Sequence, residues 1–223
     1  MNIYITGIDG AGKTTIIERI IPELFPNEKV EVIWARYEPK LIRYLVAPLK
    51  KSQTNGSTNF NDMNEQQYNK WSSFKKKITK SKVLSCVIFT IQYIEYSITI
   101  KKVFSKLRKS PNNTIVDRFI LDFLVDQSVN HGLNLNNWIV KRLLFKLNAF
   151  SYVIFIDVEE HIALVRKNDI PSKEYLSVRR KFYKEYIELL GNAVIVCNNN
   201  SLEDTIANIS KKIKKNESVY TRN

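Results

Sequence analysis

At 223 residues and 44% hydrophobic, the chain is long enough for one folded domain with a proper core and too apolar to remain disordered. Lys and Arg number 35 against 22 Asp and Glu, a net +13 that points to anionic partners such as nucleotides, nucleic acid or acidic membrane surfaces, although runs such as Lys75-Lys76-Lys77 and Lys211-Lys212 read more simply as solvated helix faces. Cys86 and Cys197 are the only cysteines and there are only two histidines, which supports neither a disulfide framework nor a zinc site.

The first apolar run, Asn2–Thr6, predicts a strand that leads straight into GIDGAGKTT (Gly7–Thr15). That leaves no room for a secretory signal, and a cytoplasmic location is expected. Gly7, Gly12, Lys13 and Thr14 satisfy the spacing G-x-x-x-x-G-K-[ST], in which glycines let the backbone curl so that successive N–H groups point inward at phosphate oxygens. The amphipathic run Ile16, Ile17, Ile20, Ile21 predicts a helix from about Lys13, whose N-terminus adds partial positive charge where a β-phosphate would sit. Lys13 would reach the β- and γ-phosphates and the Thr14 hydroxyl would take a place on Mg²⁺. Gly7, Asp9, Gly10, Ala11, Gly12, Lys13, Thr14 and Thr15 are therefore the expected ATP-binding segment, with ATP and Mg²⁺ as cofactors.

Val30–Trp34 predicts a second strand, and Arg36 lies just beyond it between aromatic neighbours. Arg36 suits either a grip on an acceptor or a surface stack on those rings. The polar stretch Lys51–Asn64 reads as a mobile loop, followed by helices over about Asn64–Ser81 and Lys82–Lys109. Val83–Ile100 carries no basic residue but includes Gln92 and Glu95, and a bilayer span here would separate the phosphate loop from the acidic strand ends, so a buried core helix is expected and no membrane partner. A turn at Ser110–Asn113 enters a third strand, Thr114–Asp117; Tyr152–Asp157 and Ala193–Cys197 are the fourth and fifth. Asn198–Ser201 reads as a loop and N-cap before a final helix, and residues 216–223 as a disordered tail. Strands alternating with helices imply an α/β fold: a five-stranded parallel sheet with helices on both faces, in a single domain over 1–215, with sites gathered at the C-terminal strand ends.

Two apolar runs end in aspartate, at Asp117 and Asp157. A carboxylate there can hold Mg²⁺ or orient an acceptor, and Asp117 is the better candidate because Arg118 follows it, a planar cation able to grip phosphate in two places. A local ion pair at a helix start is the other reading of Asp117-Arg118. Arg166 and Lys167 close the helix after Asp157, and Lys173 follows a break at Asp169-Ile170-Pro171. Basic residues on such a segment can close over a transferred phosphoryl group, though helix C-termini favour them in any case.

GIDGAGKTT resembles the phosphate loop of thymidylate kinases, where an acidic residue occupies the place of Asp9. Asp117-Arg118-Phe119 resembles that family's D-R-[YF] motif, Gln127 falls where it often has glutamine, and Arg36-Tyr37-Glu38-Pro39 resembles its R-E-P segment with one residue added. Ile156–Arg166 resembles the strand and helix leading into its lid, and Ala193–Ile206 its closing strand, adenine-side loop and last helix; Pro39–Lys82 matches poorly. The resemblance implies a P-loop NTPase fold, acceptor-binding helices over about 39–110, a lid over about 166–174, and a homodimer to which Val83–Ile100 would contribute the contact. It also implies roles: Asp9 at the acceptor's sugar hydroxyl, Arg36 at its phosphate, Asp117 and Arg118 at the reacting phosphates and metal. Gly10 stands where some members place an arginine, so Arg166 becomes the catalytic arginine of the lid, beside Lys13, Asp117 and Arg118.

The departures bear on the acceptor. Where the family's middle helix carries F-x-A-x-R, this chain keeps Phe89 but has Tyr93 in place of the arginine, and Asp122 and Asp126 stand where serine and tyrosine are usual. Two unit charges about 4 Å apart interact by roughly 4 kcal/mol at a surface-like dielectric, so a carboxylate facing a monophosphate is a serious handicap. If Asp122 and Asp126 line the pocket with Phe89 and Tyr93, a hydroxyl-rich acceptor follows; if they lie on a helix face paired with Lys141 or Arg142, they say nothing about it. The expected activity is transfer of the ATP γ-phosphate to dTMP to give dTDP. The alternative is a related phosphotransferase acting on another nucleotide or a sugar-like hydroxyl. A nucleic-acid-binding switch protein is disfavoured: the chain has no N-K-x-D guanine-reading sequence, no recognisable nucleic-acid module and no aromatic-interleaved basic stripe along its length.

Overall fold

The computed structural model describes residues 1–41, 43, 44, 47, 48, 70, 73, 74, 77 and 80–220. Five strands, β1 (Asn2–Thr6), β2 (Val30–Trp34), β3 (Asn113–Asp117), β4 (Tyr152–Asp157) and β5 (Ala193–Cys197), form one parallel sheet in the order β2-β3-β1-β4-β5. Seven helices are continuous among the described residues: α1 (Lys13–Leu24), α2 (Lys82–Lys109), α3 (Ile120–His131), α4 (Trp138–Lys146), α5 (Glu160–Arg166), α6 (Lys173–Ile187) and α7 (Leu202–Tyr220). The expected loop Lys51–Asn64 lies outside the described residues, and the expected helix over Asn64–Ser81 is seen only at 70, 73, 74, 77 and 80, all helical.

The three central strands are apolar on both faces because helices cover both. Ile3, Tyr4, Ile5, Ile115, Val116 and the run Val153–Ile156 are all essentially buried. At about 1.5–3 kcal/mol for each fully buried large apolar side chain, these strands make a large contribution to the stabilising burial, which the helices packed on them share. The edge strand β2 instead exposes Val32 and Trp34. Strand order reverses at β1, so the loop after β1 emerges at the crevice where such sheets bind ligands. Against the sheet, α2 and α3 wedge a set of rings: Tyr96 stacks on Phe123 at 4.4 Å, and Tyr4 meets Phe119 edge-on at 6.1 Å.

Three expectations need correction. β3 begins at Asn113 rather than Thr114, because Asn113 pairs with Val30 and its side chain accepts from the Met1 amino group at 2.6 Å. α7 continues to Tyr220, into the segment expected to be a disordered tail, while 221–223 lie outside the described residues. α2 is long and apolar enough to cross a membrane by length and composition, yet it is not the wholly buried core helix expected. Ser85, Phe89, Tyr96, Ile100, Val103 and Leu107 form its inward stripe at helical spacing, while Val83, Val87, Ile94 and Ile98 are half or more exposed on the outer side. A helix apolar all round carries no period from which to read that only one stripe is covered.

Asp122 is a structural knot. It sits on the third residue of α3, 5% exposed, and its carboxylate accepts from Tyr4 Oη at 2.8 Å, Thr6 Oγ1 at 2.9 Å, the Phe119 backbone N–H at 3.0 Å and Tyr183 Oη at 2.9 Å. Arg118 Nη1 lies 3.6 Å away. One carboxylate therefore caps α3 and ties it to β1 and α6, and it makes no pair with Lys141 or Arg142. Removing this acceptor strands several buried donors, which costs about 3–5 kcal/mol. Asp122→Ala is expected to lower the melting temperature by about 10 °C in a calorimetric scan, whereas Asp126→Ala, at a site 41% exposed, should move it by no more than about 3 °C.

Candidate active site

The loop between β1 and α1 is shaped by its glycines. Gly12 has φ +80 and Gly10 φ +79, both left-handed, and a Cβ on Gly10 would stand 2.5 Å from the Ala163 carbonyl of α5. Any side chain at position 10 would therefore meet the backbone of α5. Asn198, 3% exposed just after β5, donates to the Ala11 carbonyl at 2.9 Å and accepts from Thr205 Oγ1 at 2.9 Å, locking the loop to the start of α7.

Lys13 is 5% exposed, and its ammonium donates to the Gly7 and Ile8 carbonyls, each at 2.7 Å. Burial first, then the neighbouring Arg118, pushes this ammonium down to about 7 against the pull of Asp122, Asp9 and Asp117. Thr14 and Thr15 are exposed at the mouth of the loop.

Arg118 adopts φ +56, a left-handed conformation that costs a non-glycine residue about 1–2 kcal/mol and turns its side chain back across the sheet end. Its Nη2 meets Asp9 Oδ1 at 2.6 Å. Burial alone would raise the Asp9 carboxyl, but Arg118, Lys13 and Arg36 outweigh it and hold Asp9 well below the usual carboxylate range. Arg36 thus lies within electrostatic reach of Asp9, as it does of Asp117 and Tyr175, and it makes no ion pair among the described residues.

The two strand-end aspartates differ. Asp117 Oδ1 is buried with no hydrogen-bond partner, and burial pushes its carboxyl up despite Lys13 and Arg118 nearby. Asp157 is engaged by α6: Arg180 grips it with Nε at 2.6 Å and Nη2 at 3.0 Å, and Lys184 Nζ lies at 2.9 Å. Asp126 pairs with Arg179 Nη2 at 3.1 Å, and Arg179 lies flat over the Tyr175 ring at 3.6 Å. The Tyr175 hydroxyl reaches Asp9 Oδ2 at 3.5 Å.

The structure therefore brings Gly7, Asp9, Gly10, Ala11, Gly12, Lys13, Thr14, Thr15, Arg36, Asp117 and Arg118 to one end of the sheet. Asp122 is beside them but turned into its own network, and Asp126 is neutralised by Arg179. Arg166 closes α5 and donates to the Asn198 carbonyl at 3.0 Å, on the loop after β5. Phe89 and Tyr93 stack on each other at 6.2 Å, with Phe89 against His131 where α2 meets α3, and no described contact ties either to Asp9. Sequence reasoning missed Asn198, Tyr175, Arg179, Arg180 and Tyr183. The double arginine of α6, one helical turn beyond Tyr175, was the available signal.

The fold is similar to that of deoxyadenosine kinase from M. mycoides with bound dATP (19% identity, TM-score 0.55, covering 96% of this chain and 99% of that one) and of the same protein with products dCMP and a flexible dCDP (17%, 0.51, 96% and 100%). It is similar also to thymidylate kinase from Candida albicans (14%, 0.54, 97% and 92%). No protein-family model and no curated protein matches the chain. The likeness establishes the architecture as one that P-loop kinases use.

A phosphate anion placed in the loop favours charged Lys13, so binding raises a value that stands at about 7 in the free chain. Above pH 7 the bound state then holds more protons than the free one. Titration of ATP at pH 8 in buffers of different ionisation enthalpy should show uptake approaching one proton, with affinity falling as pH rises past 7; equal heats in all buffers would contradict this origin.

Proposed function

We propose that the chain is an ATP-dependent kinase that passes the γ-phosphoryl group to a nucleoside monophosphate, with dTMP as acceptor and dTDP as product. One observation supports a monophosphate acceptor: the two carboxylates that would repel it are occupied elsewhere, while Arg36 beside Asp9 has no ion-pair partner among the described residues; dTMP in particular rests on the motif resemblance to thymidylate kinases. Asp9, kept ionised by Arg118, suits a hydrogen bond from a sugar hydroxyl. Arg36 suits the acceptor phosphate.

The residues present fit Mg²⁺. Asp117 offers a buried, unpartnered oxygen, Thr14 an exposed hydroxyl, and Mg²⁺ usually needs only one or two protein oxygens beside those of phosphate. When bound there, the ion offsets charge on the β- and γ-phosphate oxygens. The chain's own part is positioning and charge: loop amides and Lys13 hold the donor, Arg118 faces the transferring group, and Arg166 is the arginine nearest to a lid. A phosphate dianion is already nucleophilic, so no base is required.

A second reading, a nucleoside hydroxyl as acceptor, draws on Asp117. Its carboxyl, pushed up by burial, suits the proton acceptance that a hydroxyl requires. The exposed stripe Val83, Val87, Ile94 and Ile98, repeating every four and seven residues, supports a homodimer built on α2.

Coupled ADP release across dTMP, other monophosphates and unphosphorylated deoxynucleosides tests the proposal. Turnover with dTMP, lowered about a hundredfold or more by Lys13→Ala and by Arg36→Ala in kcat/KM, is the expected result. Turnover confined to deoxynucleosides would replace it with the second reading, and sedimentation velocity of Ile94→Glu/Ile98→Glu reports on the dimer.

A further inference from the structure

The end of the molecule opposite the phosphate loop is built differently from the catalytic end. α2 finishes just before β3 and the turn Leu147–Ala149 just before β4, so both lie at the N-terminal ends of the strands. Between them opens a cleft of about 570 Å³, bordered by Lys101, Phe104, Arg108, Phe145 and Lys146. Lys146 sits over the Phe104 ring at 5.6 Å.

The charged residues that line this cleft, Lys101, Arg108 and Lys146, are all basic. Residues 96–116 and 127–156 contain eight Lys and Arg but no Asp or Glu. Of these eight, only Lys106 is paired with a carboxylate among the described residues, with Glu31 at 2.8 Å. The charge continues past the cleft along the outer face of α4, where Trp138, Lys141, Arg142 and Phe145 occupy one stripe at helical spacing while Val140, Leu143 and Leu144 face the core. Trp138 is 63% exposed and Phe145 76%, so most of each ring is open to solvent. The two open rings thus share one face of α4 with Lys141 and Arg142, which corrects the expectation of no aromatic-interleaved basic stripe, and α2, far away in the chain, adds Lys101 and Arg108.

We propose that this face is a second, non-catalytic site that binds single-stranded nucleic acid without sequence preference, with phosphates on Lys101, Arg108 and Lys146 and bases stacked on Phe145 and Trp138. Three features select this occupant. A basic groove with exposed rings is what a strand with unstacked bases uses, whereas a duplex hides its base faces. The surface from cleft to Trp138 spans about 10 Å of helix beyond the cleft itself, more than one free nucleotide covers. A bilayer would reward a contiguous apolar helix face; the apolar face of α4 is turned inward, and the exposed apolar stripe of α2 ends at Ile98, before the cleft residues Lys101, Phe104 and Arg108. The inference goes beyond the kinase reading and stands whether or not that reading does.

Anisotropy of a fluorescein-labelled single-stranded oligothymidylate, titrated with the whole chain over a range of salt, tests it. Three to five phosphate contacts should give a slope of log K against log salt of about −2 to −3.5. Trp138→Ala and Phe145→Ala should each weaken binding by about fivefold or more, and Lys101→Glu/Arg108→Glu/Lys146→Glu should abolish it, with ADP release unchanged in all three. Lys13→Ala should leave strand binding intact, which separates this face from the phosphate loop. The proposal is overturned by any of three results: no binding near physiological salt, equal affinity for a duplex of the same length with the ring variants indistinguishable from the parent, or selective capture by phosphatidylserine vesicles.

Discussion

The buried carboxylate of Asp122 holds together the end of the sheet that carries the Gly7–Thr15 loop. Its partners come from β1, from the turn before α3 and from α6, so a single side chain fixes the angle at which three elements meet. Burying a charge is costly unless it is well hydrogen-bonded, and here four donors and a nearby guanidinium supply that condition. The same knot sets Arg118. Its left-handed backbone is tolerated because the Phe119 N–H behind it is held by Asp122 and its own N–H by the Ile5 carbonyl at 3.2 Å. The guanidinium then reaches Asp9 across the phosphate loop, and the charge state of Asp9 follows.

This arrangement reverses what the residue types suggest about the acceptor. Read as unpaired charges, Asp122 and Asp126 would oppose a monophosphate by several kcal/mol. Asp122 spends its charge inside the core, and Asp126 is matched by Arg179, itself held flat on Tyr175. The cations that act on Asp9 at this end of the sheet are therefore Arg118, Lys13 and Arg36. Identity of the residue decides less here than which helix faces it.

The sheet and the phosphate loop were legible in the sequence because both are local: apolar runs of strand length, and a glycine spacing that leaves the backbone one way to fold. The loop's supports were not. Tyr4, Thr6 and Tyr183 bond to Asp122 across separations of 118, 116 and 61 residues, and nothing in a local window marks a tyrosine as a partner for a distant carboxylate. Asn198 was legible only as a turn residue, although it fastens Ala11. The outer stripe of α2 was misread for the opposite reason. Uniform apolarity gives a strong local signal for burial, and whether burial is complete depends on neighbours that the local signal does not contain.

Asp117 and Asp157 show how the fold separates two copies of one pattern. Each ends an apolar strand next to β1, and each is a candidate for the same work. At β4, burial acts to raise the Asp157 carboxyl, but the clasp of Arg180 and Lys184 outweighs it and keeps the group low and fully engaged. At β3 no arginine among the described residues forms an ion pair with Asp117, so burial prevails and one oxygen is left without a partner there. The deciding residues, Arg180 and Lys184, sit on α6, which packs on β4. An unpartnered buried carboxylate oxygen is expensive to maintain unless a ligand completes it, and that asymmetry, not the strand-end aspartate alone, is what distinguishes the β3 side of the loop from the β4 side.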